Sequence, residues 1–203
     1  MARRSDHTRE ELKEMILKTS WDIIGKDGFE GLTARKIANK IGYAPGTIYN
    51  LFTSMEDLYI AINGQTLDLL YKVLSCPECN DTNNSISDNV KKTALLYREF
   101  IQGYRPYWLM LFTHSIPDDM QAPDWYLEKV KRLFSPLEVL LQPLFTNKKT
   151  GDIKKAARVL WSSIHGLLFL EGTGKIPLIT NNETAIEMTN YLVDNFMSGI
   201  ENT

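Results

Sequence analysis

The stretch TARKIANKIGYAPGTIYNLF, Thr33 to Phe52, carries two short helical patterns on either side of a glycine. Thr33 has the side chain of a helix N-cap, and Ile37, Ala38 and Ile41 recur at helical spacing before Gly42 ends the pattern. Pro45 suits the first turn of a following helix, where its missing N–H costs nothing. Ile48, Leu51 and Phe52 give that helix an apolar side, while Ala44, Gly46 and Thr47 are small and Tyr49 and Asn50 fall on the outer side. Core packing gives no reason for such an outward run, whereas close approach to another molecule does.

Working outward, Thr8 and Glu11 have the capping-box spacing that opens a helix over 8–28. Leu12, Met15, Ile16, Ile23 and Ile24 fall mainly along one face, and Gly28 is its stop. Ser54 caps a fourth helix over about 54–74, whose Glu56 and Asp57 match the positive end of the helix dipole. SCPECNDTNNSIS, 75–87, is polar and turn-rich and reads as a loop. Helical periodicity returns over about 87–102, followed by the aromatic segment YRPYWLMLFTHSIP with Pro106 and Pro117 as its bounds. Further helices are expected over about 123–144, 152–172 and 182–199, with a loop at 146–152. No alternating strand pattern and no internal repeat is visible. The fold class is therefore all-α with about nine helices: a three-helix N-terminal head over 1–54 joined to a C-terminal helical bundle over 55–203.

The 203 residues, 43% hydrophobic and 24% charged, suit a packed core rather than disorder. The net charge of -2 gives no global signal for nucleic acid, so charge is read locally. Residues 33–55 carry Arg35, Lys36 and Lys40 and no acid, whereas residues 61–203 hold 14 Lys and Arg against 16 Asp and Glu. A basic corner on a mildly acidic body is the footprint of a local anionic partner. No apolar run reaches about 18 residues, and the N-terminal stretch lacks the apolar core of a signal peptide. No membrane span is expected, and the default compartment is the cytoplasm.

Three close helices over about 8–52 have the layout of a helix-turn-helix with a supporting first helix. The second helix of such a pair lies in the DNA major groove with its N-terminal residues at the base edges. Ala44 and Pro45 let the backbone come close. Thr47 would meet a base or a thymine methyl, Asn50 a base or a phosphate, and Tyr49 a phosphate oxygen. Thr33, at a helix N-terminus, would bind another phosphate, and Arg35 and Lys36 add charge. LTARKIANKIGYAPGTIYNLFTSMEDLY, 32–59, closely resembles the DNA-binding signature of the TetR family of bacterial transcriptional regulators. Leu32, Thr33, Gly42, Gly46, Thr47, Tyr49, Phe52 and the Ser54, Glu56, Asp57 cap are among the matching positions. The resemblance implies a homodimeric regulator, usually a repressor, on a palindromic double-stranded DNA operator, with the dimer interface and a ligand pocket in the C-terminal body. Two positions depart from it. The family usually has Ser or Thr where this chain has Ala44, and Lys where it has Met55, which removes a helix cap and a backbone charge contact. The salt dependence of binding is then expected to be shallower by about one counterion per subunit.

RVLWSSIHGLLFLEGTGKI, 158–176, resembles the Trp-His-Gly motif of one subgroup of TetR C-terminal domains, through Trp161, His165 and Gly166. Its helix is apolar nearly all round, so it is buried or half of it meets a partner. Gly166 costs about 1 kcal/mol against Ala in mid-helix, which a closely approaching helix would justify. With Ile186, Tyr191, Leu192, Phe196 and Ile200 of the last helix, it is expected to form a four-helix interface between two copies, through about 152–172 and 182–200. Tyr97, Tyr104, Tyr107, Trp108, Phe112, Trp125 and Trp161 each read alone as core. Taken together under the resemblance, they read as walls of a pocket for a small apolar or aromatic effector, with Met110 as an adaptable wall and His114 and His165 to orient the ligand.

No glycine-rich phosphate loop, HExxH or nucleophile elbow occurs, so neither enzyme activity nor a cofactor or metal is expected. Cys76-Pro-Glu-Cys79 has dithiol or metal-ligand spacing, without a second such pair or a histidine nearby. It leaves a redox- or metal-responsive DNA-binding regulator as the alternative reading.

Overall fold

The computed structural model describes residues 7–145 and 150–201, and capping chemistry sets where its first helices begin and end. The Thr8 hydroxyl accepts the Glu11 N–H at 3.2 Å while the Glu11 carboxylate accepts the Thr8 N–H at 2.7 Å, opening α1 (Arg9–Asp27). Thr33 accepts the Lys36 N–H at 3.2 Å and opens α2 (Ala34–Ile41). Gly42 closes α2 at φ 77°, a left-handed conformation that costs other residues about 1–2 kcal/mol. α3 (Gly46–Tyr49) is a single turn, shorter than the apolar pattern through Phe52 suggests. Residues 50–53 carry the chain round to α4 (Met55–Leu74), where Ser54 accepts the Asp57 N–H at 3.2 Å.

The chain continues through α5 (Ile86–Gly103), α6 (Arg105–Thr113), α7 (Asp124–Arg132), α8 (Ser135–Leu141), α9 (Thr150–Gly172) and α10 (Ala185–Glu201). Short 3-10 turns complete the regular structure, and no strand occurs among the described residues, so the fold is all-α as its patterning indicates. The single helix expected over 123–144 is divided into α7 and α8. Pro136, in the first turn of α8, has no N–H to give, and its ring would collide with the Arg132 carbonyl in a continuous helix. That carbonyl instead accepts the Ser135 hydroxyl at 2.8 Å. Of the loop expected over 146–152, residues 146–149 lie outside the described residues. Among those described, no helix is long and apolar enough to cross a membrane.

Two compact units form. The first takes the described residues through Thr66 together with Pro106–Tyr126. Its core gathers Ile16, Ile23, Ile37, Ile48, Leu58 and Met110, all fully buried. The aromatic segment joins this core: the Tyr107 ring stacks on Trp21 with centroids 3.7 Å apart, and its hydroxyl donates to the Trp21 carbonyl at 3.0 Å. Gly25, one turn on, leaves room for that hydroxyl, because a Cβ there would stand 2.5 Å from it. The second unit takes Leu67–Arg105 and the described residues from Leu127. In it α9 packs against α8 and α10, and α10 against α5. Arg98 of α5 holds Glu171 of α9 with two N–O contacts of 2.7 Å each, and Arg105 Nε donates to the Gly172 carbonyl at 3.0 Å, covering the end of α9.

The Gly25 contact is testable by a double-mutant cycle. In the wild-type chain Gly25→Ala should lower stability to urea by about 1–3 kcal/mol, the usual cost of overpacking. In a Tyr107→Phe background the same change should cost at least about 1 kcal/mol less, since the opposing oxygen is gone. Equal costs in the two backgrounds would show that Tyr107 does not set the requirement for glycine.

Candidate functional site

α2 and α3 present the residues singled out in the sequence. Thr33, Arg35, Ala44, Pro45, Gly46 and Asn50 are exposed, Thr47 is half-covered, and Tyr49 is 51% exposed. Ile48, between them, is fully buried and fixes the turn to the core. The turn's own backbone is satisfied: the Thr47 N–H donates to the Ala44 carbonyl at 2.9 Å and the Ile48 N–H to the Pro45 carbonyl at 3.1 Å. Ala44 leaves α3 without a side-chain cap. A Cβ on Gly46 would meet nothing within 4 Å, so no neighbour within the chain requires glycine there. Lys36 is half-exposed, and its Nζ stands 2.6 Å from an Asp27 carboxylate oxygen at the end of α1. The Lys36 ammonium holds the Asp27 carboxyl below its usual range. Counting charge along residues 33–55 missed this acid, because only the fold brings α1 against α2.

The nine residues read as a ligand pocket fall into both units. Tyr107, Trp108, Phe112, His114 and Trp125 belong to the first. Tyr107 lies in its core; Trp108 is fully buried, with Phe112 at 5.6 Å between ring centroids; Trp125 is nearly half exposed. His114 Nε2 stands 2.7 Å from a Glu56 carboxylate oxygen, with the rings of Phe29 and Tyr59 edge-on around it. Tyr97, Tyr104, Trp161 and His165 belong to the second unit, where three of them meet. The Tyr97 hydroxyl and His165 Nδ1 are hydrogen-bonded at 2.7 Å, and Trp161 stacks on His165 at 4.8 Å between centroids. Burial pushes the His165 imidazole down to about 4, so it stays neutral at ordinary pH. Tyr104 stacks on Phe100 instead.

A cavity of about 200 Å³ opens in the second unit between the end of α4, the Pro77–Asn80 turn and α8. Tyr71, Leu74, Cys76, Cys79, Pro136 and Leu140 form most of its wall. A narrower slot of about 30 Å³ shares Leu74 and Pro136 with it and reaches Tyr97 and Trp161. Sequence reasoning missed this cavity, because its walls mix aliphatic side chains with a tyrosine, two cysteines and small polar groups, and come from segments far apart in the chain. The Cys76 and Cys79 sulfurs lie 2.9 Å apart in its wall. Burial, with the Cys76 thiol alongside, pushes the Cys79 thiol up to about 12. No three His, Cys, Asp or Glu side chains converge on a metal position among the described residues.

The outer sides of α9 and α10 expose apolar groups: Val159 is 51% and Tyr191 74% exposed. Gly166 is exposed too, and a Cβ there would meet nothing within 4 Å.

Comparison with known proteins bears on both units. Residues 16–62 match the family model for bacterial regulatory proteins of the tetR family, and residues 90–194 match the tetracyclin repressor-like C-terminal domain. The uncharacterised HTH-type transcriptional regulator Rv0681 of Mycobacterium tuberculosis is 23% identical over 176 residues, covering 87% of this chain and 77% of that protein. A structure of a protein of unknown function from Rhodococcus sp. RHA1 aligns with a TM-score of 0.74 at 17% identity, over 98% of each chain. The regulator FadR of Bacillus subtilis, solved in complex with stearoyl-CoA, aligns with a TM-score of 0.66 at 15% identity, over 92% of this chain and 98% of that one. Those structures share the fold, and the family models cover the helix-turn-helix and more than half of the chain besides. The chain belongs to the tetR family of bacterial regulatory proteins.

Proposed function

We propose that this chain is a ligand-responsive repressor that binds a palindromic operator as a homodimer in the cytoplasm. Residues 1–54 are its DNA-binding domain and 55–203 its ligand-binding and dimerisation domain. The observation that carries the reading is the exposed turn from Ala44 to Asn50, held outward on a core by one buried side chain, Ile48. Thr47, Tyr49 and Asn50 reach bases and phosphates from it, Ala44, Pro45 and Gly46 admit the DNA backbone, and Thr33, Arg35 and Lys36 hold a neighbouring phosphate. Trp161, His165 and Gly166 are read as the Trp-His-Gly motif of one subgroup of the family.

The homodimer is read through α9 and α10. Exposed Val159 and Tyr191, and a mid-helix Gly166 that nothing within the chain approaches, support a second copy against this face. A small effector that binds better to a conformation with splayed DNA heads would shift the population off the operator. The FadR structure, solved with stearoyl-CoA, supports a small-molecule effector of some kind.

The alternative, a redox- or metal-responsive regulator, rests on the two sulfurs 2.9 Å apart. Its test is a Cys76→Ser, Cys79→Ser double variant: operator binding should be unchanged and equally insensitive to peroxide and zinc. A release seen only with both cysteines present would favour the alternative.

Thr47→Ala and Tyr49→Ala should each weaken operator binding in a gel-shift titration, by about 1–3 kcal/mol for Thr47 if it reads a base. Met55→Lys should steepen the salt dependence by about one counterion per subunit. A wild-type chain that binds no short palindrome at any salt concentration would sink the reading. In sedimentation, Val159→Asp should shift the protein from dimer toward monomer; an unchanged dimer would move the interface off α9.

A further inference from the structure

None of the described residues that line the cavity at the end of α4 carries a formal charge, and the charged group in the turn beside it is an anion: the Glu78 carboxylate, which interacts with the Cys76 thiol. Tyr71, Leu74, Cys76, Cys79, Pro136 and Leu140 form its wall, and Ser75, Asn80 and Ser135 supply the polar groups near its rim. The slot beyond Leu74 is lined by Val90, Ala94, Leu137, Ile164 and the rings of Tyr97 and Trp161. Two buried titratable groups at its ends are neutral. Burial keeps the Cys79 thiol protonated at one end and the His165 imidazole neutral behind Tyr97 at the other. Arg132 stands over the ring of Tyr71, 4.2 Å from its centroid, and its guanidinium is already 2.7 Å from an Asp68 oxygen.

We infer that this cavity is the small-molecule site of the chain and that its ligand is uncharged: a compact, mostly apolar molecule with a hydroxyl or carbonyl group held at the Ser75, Asn80 and Ser135 rim. An ionised carboxylate or phosphate entering here would give up its water for a wall with no opposite charge, a desolvation cost far above what one or two neutral hydrogen bonds return. A neutral hydroxyl gives up less and can donate to the Ser75 or Ser135 oxygen, whose own O–H groups go to the Tyr71 and Arg132 carbonyls, while the Asn80 amide supplies a donor. Volume sets the size. An apolar cavity of about 150 Å³ accepts benzene, so one of about 200 Å³ admits a ring with a short substituent. The narrow slot of about 30 Å³ takes no more than the end of a slender chain. The inference rests on the reading of this protein as ligand-responsive, and it names the place and the chemistry of that response.

The test uses the full-length protein and two probes of nearly one shape, benzyl alcohol and benzoate. By calorimetry or ligand-observed NMR, benzyl alcohol should bind with a dissociation constant of about 1 mM or tighter, and benzoate at least about tenfold more weakly. Benzyl alcohol should also slow alkylation of the half-exposed Cys76 by N-ethylmaleimide. Leu140→Phe fills the cavity from its floor, and Val139→Trp covers it from a rim position that is 53% exposed and tolerant of substitution. Each should weaken benzyl alcohol by at least about tenfold. Equal affinity for benzoate, unchanged affinity in both variants, or no binding of benzyl alcohol would each overturn the inference. An operator titration without ligand tests the regulator separately: a chain that ignores DNA yet discriminates the two probes retires the regulator and keeps the site.

Discussion

One buried side chain holds the exposed face of the first unit in shape. α3 has one turn, and a helix that short does not form by itself in water. Ile48 is fully buried in the same core as Ile16, Ile23 and Ile37, and such burial is worth about 2 kcal/mol, enough to hold one turn. The Phe52 N–H then returns to the Ile48 carbonyl at 2.9 Å, so the chain leaves the turn from the same anchor. Around that anchor the neighbouring side chains are released from packing. The missing hydroxyl at Ala44 acquires a definite meaning in this light. It removes a cap, yet the backbone bonds from Thr47 and Ile48 still close the turn, so its shape does not depend on that hydroxyl.

Local chemistry was legible in the sequence, and tertiary destinations were not. Thr8 with Glu11, Thr33, Gly42 and Ser54 each do in the fold what their spacing indicates, because a cap involves atoms only three or four residues apart. Thr184 with Glu187 forms another such box at α10 and could have been read the same way. The break before Pro136 was also present in the sequence as a proline inside an apolar pattern. The aromatic run was different. Its composition suggested one pocket, but Tyr107 stacks on Trp21 and His114 pairs with Glu56, partners far away in the chain. An aromatic ring serves equally as core or as pocket wall, and helical spacing does not distinguish the two. The cavity was invisible for a related reason: it is a gap between surfaces, and no single segment carries its signal.

The second unit separates charge from its interior by simple means. Arg98 meets Glu171, Arg158 meets Glu138 at 3.1 Å, and Lys129 and Arg132 share Asp68, all at partly exposed positions. Exposed pairs of this kind contribute little to stability and are screened by salt. Among the described residues, none of those that line the cavity is a cation. Selection there falls to volume and to a few neutral hydrogen-bonding groups, which discriminate strongly against a charged molecule and only weakly between two neutral ones of similar size.

The basic corner of the first unit also changes meaning once folded. The sequence gives Arg35, Lys36 and Lys40 as three uncompensated charges, but Asp27 stands 2.6 Å from Lys36 and offsets one of them. Both side chains are partly exposed, so the pair is weak and solvent competes for it. A phosphate approaching the N-terminus of α2 could draw Lys36 away at small cost, but Asp27 would remain nearby and repel that phosphate. The corner's long-range attraction is therefore smaller than a count of lysines suggests. What sets this surface apart is its shape: an open Gly46, a proline and an alanine beside it, and a tyrosine standing clear of the core. Charge brings a polyanion near such a surface, and close backbone approach decides whether it stays.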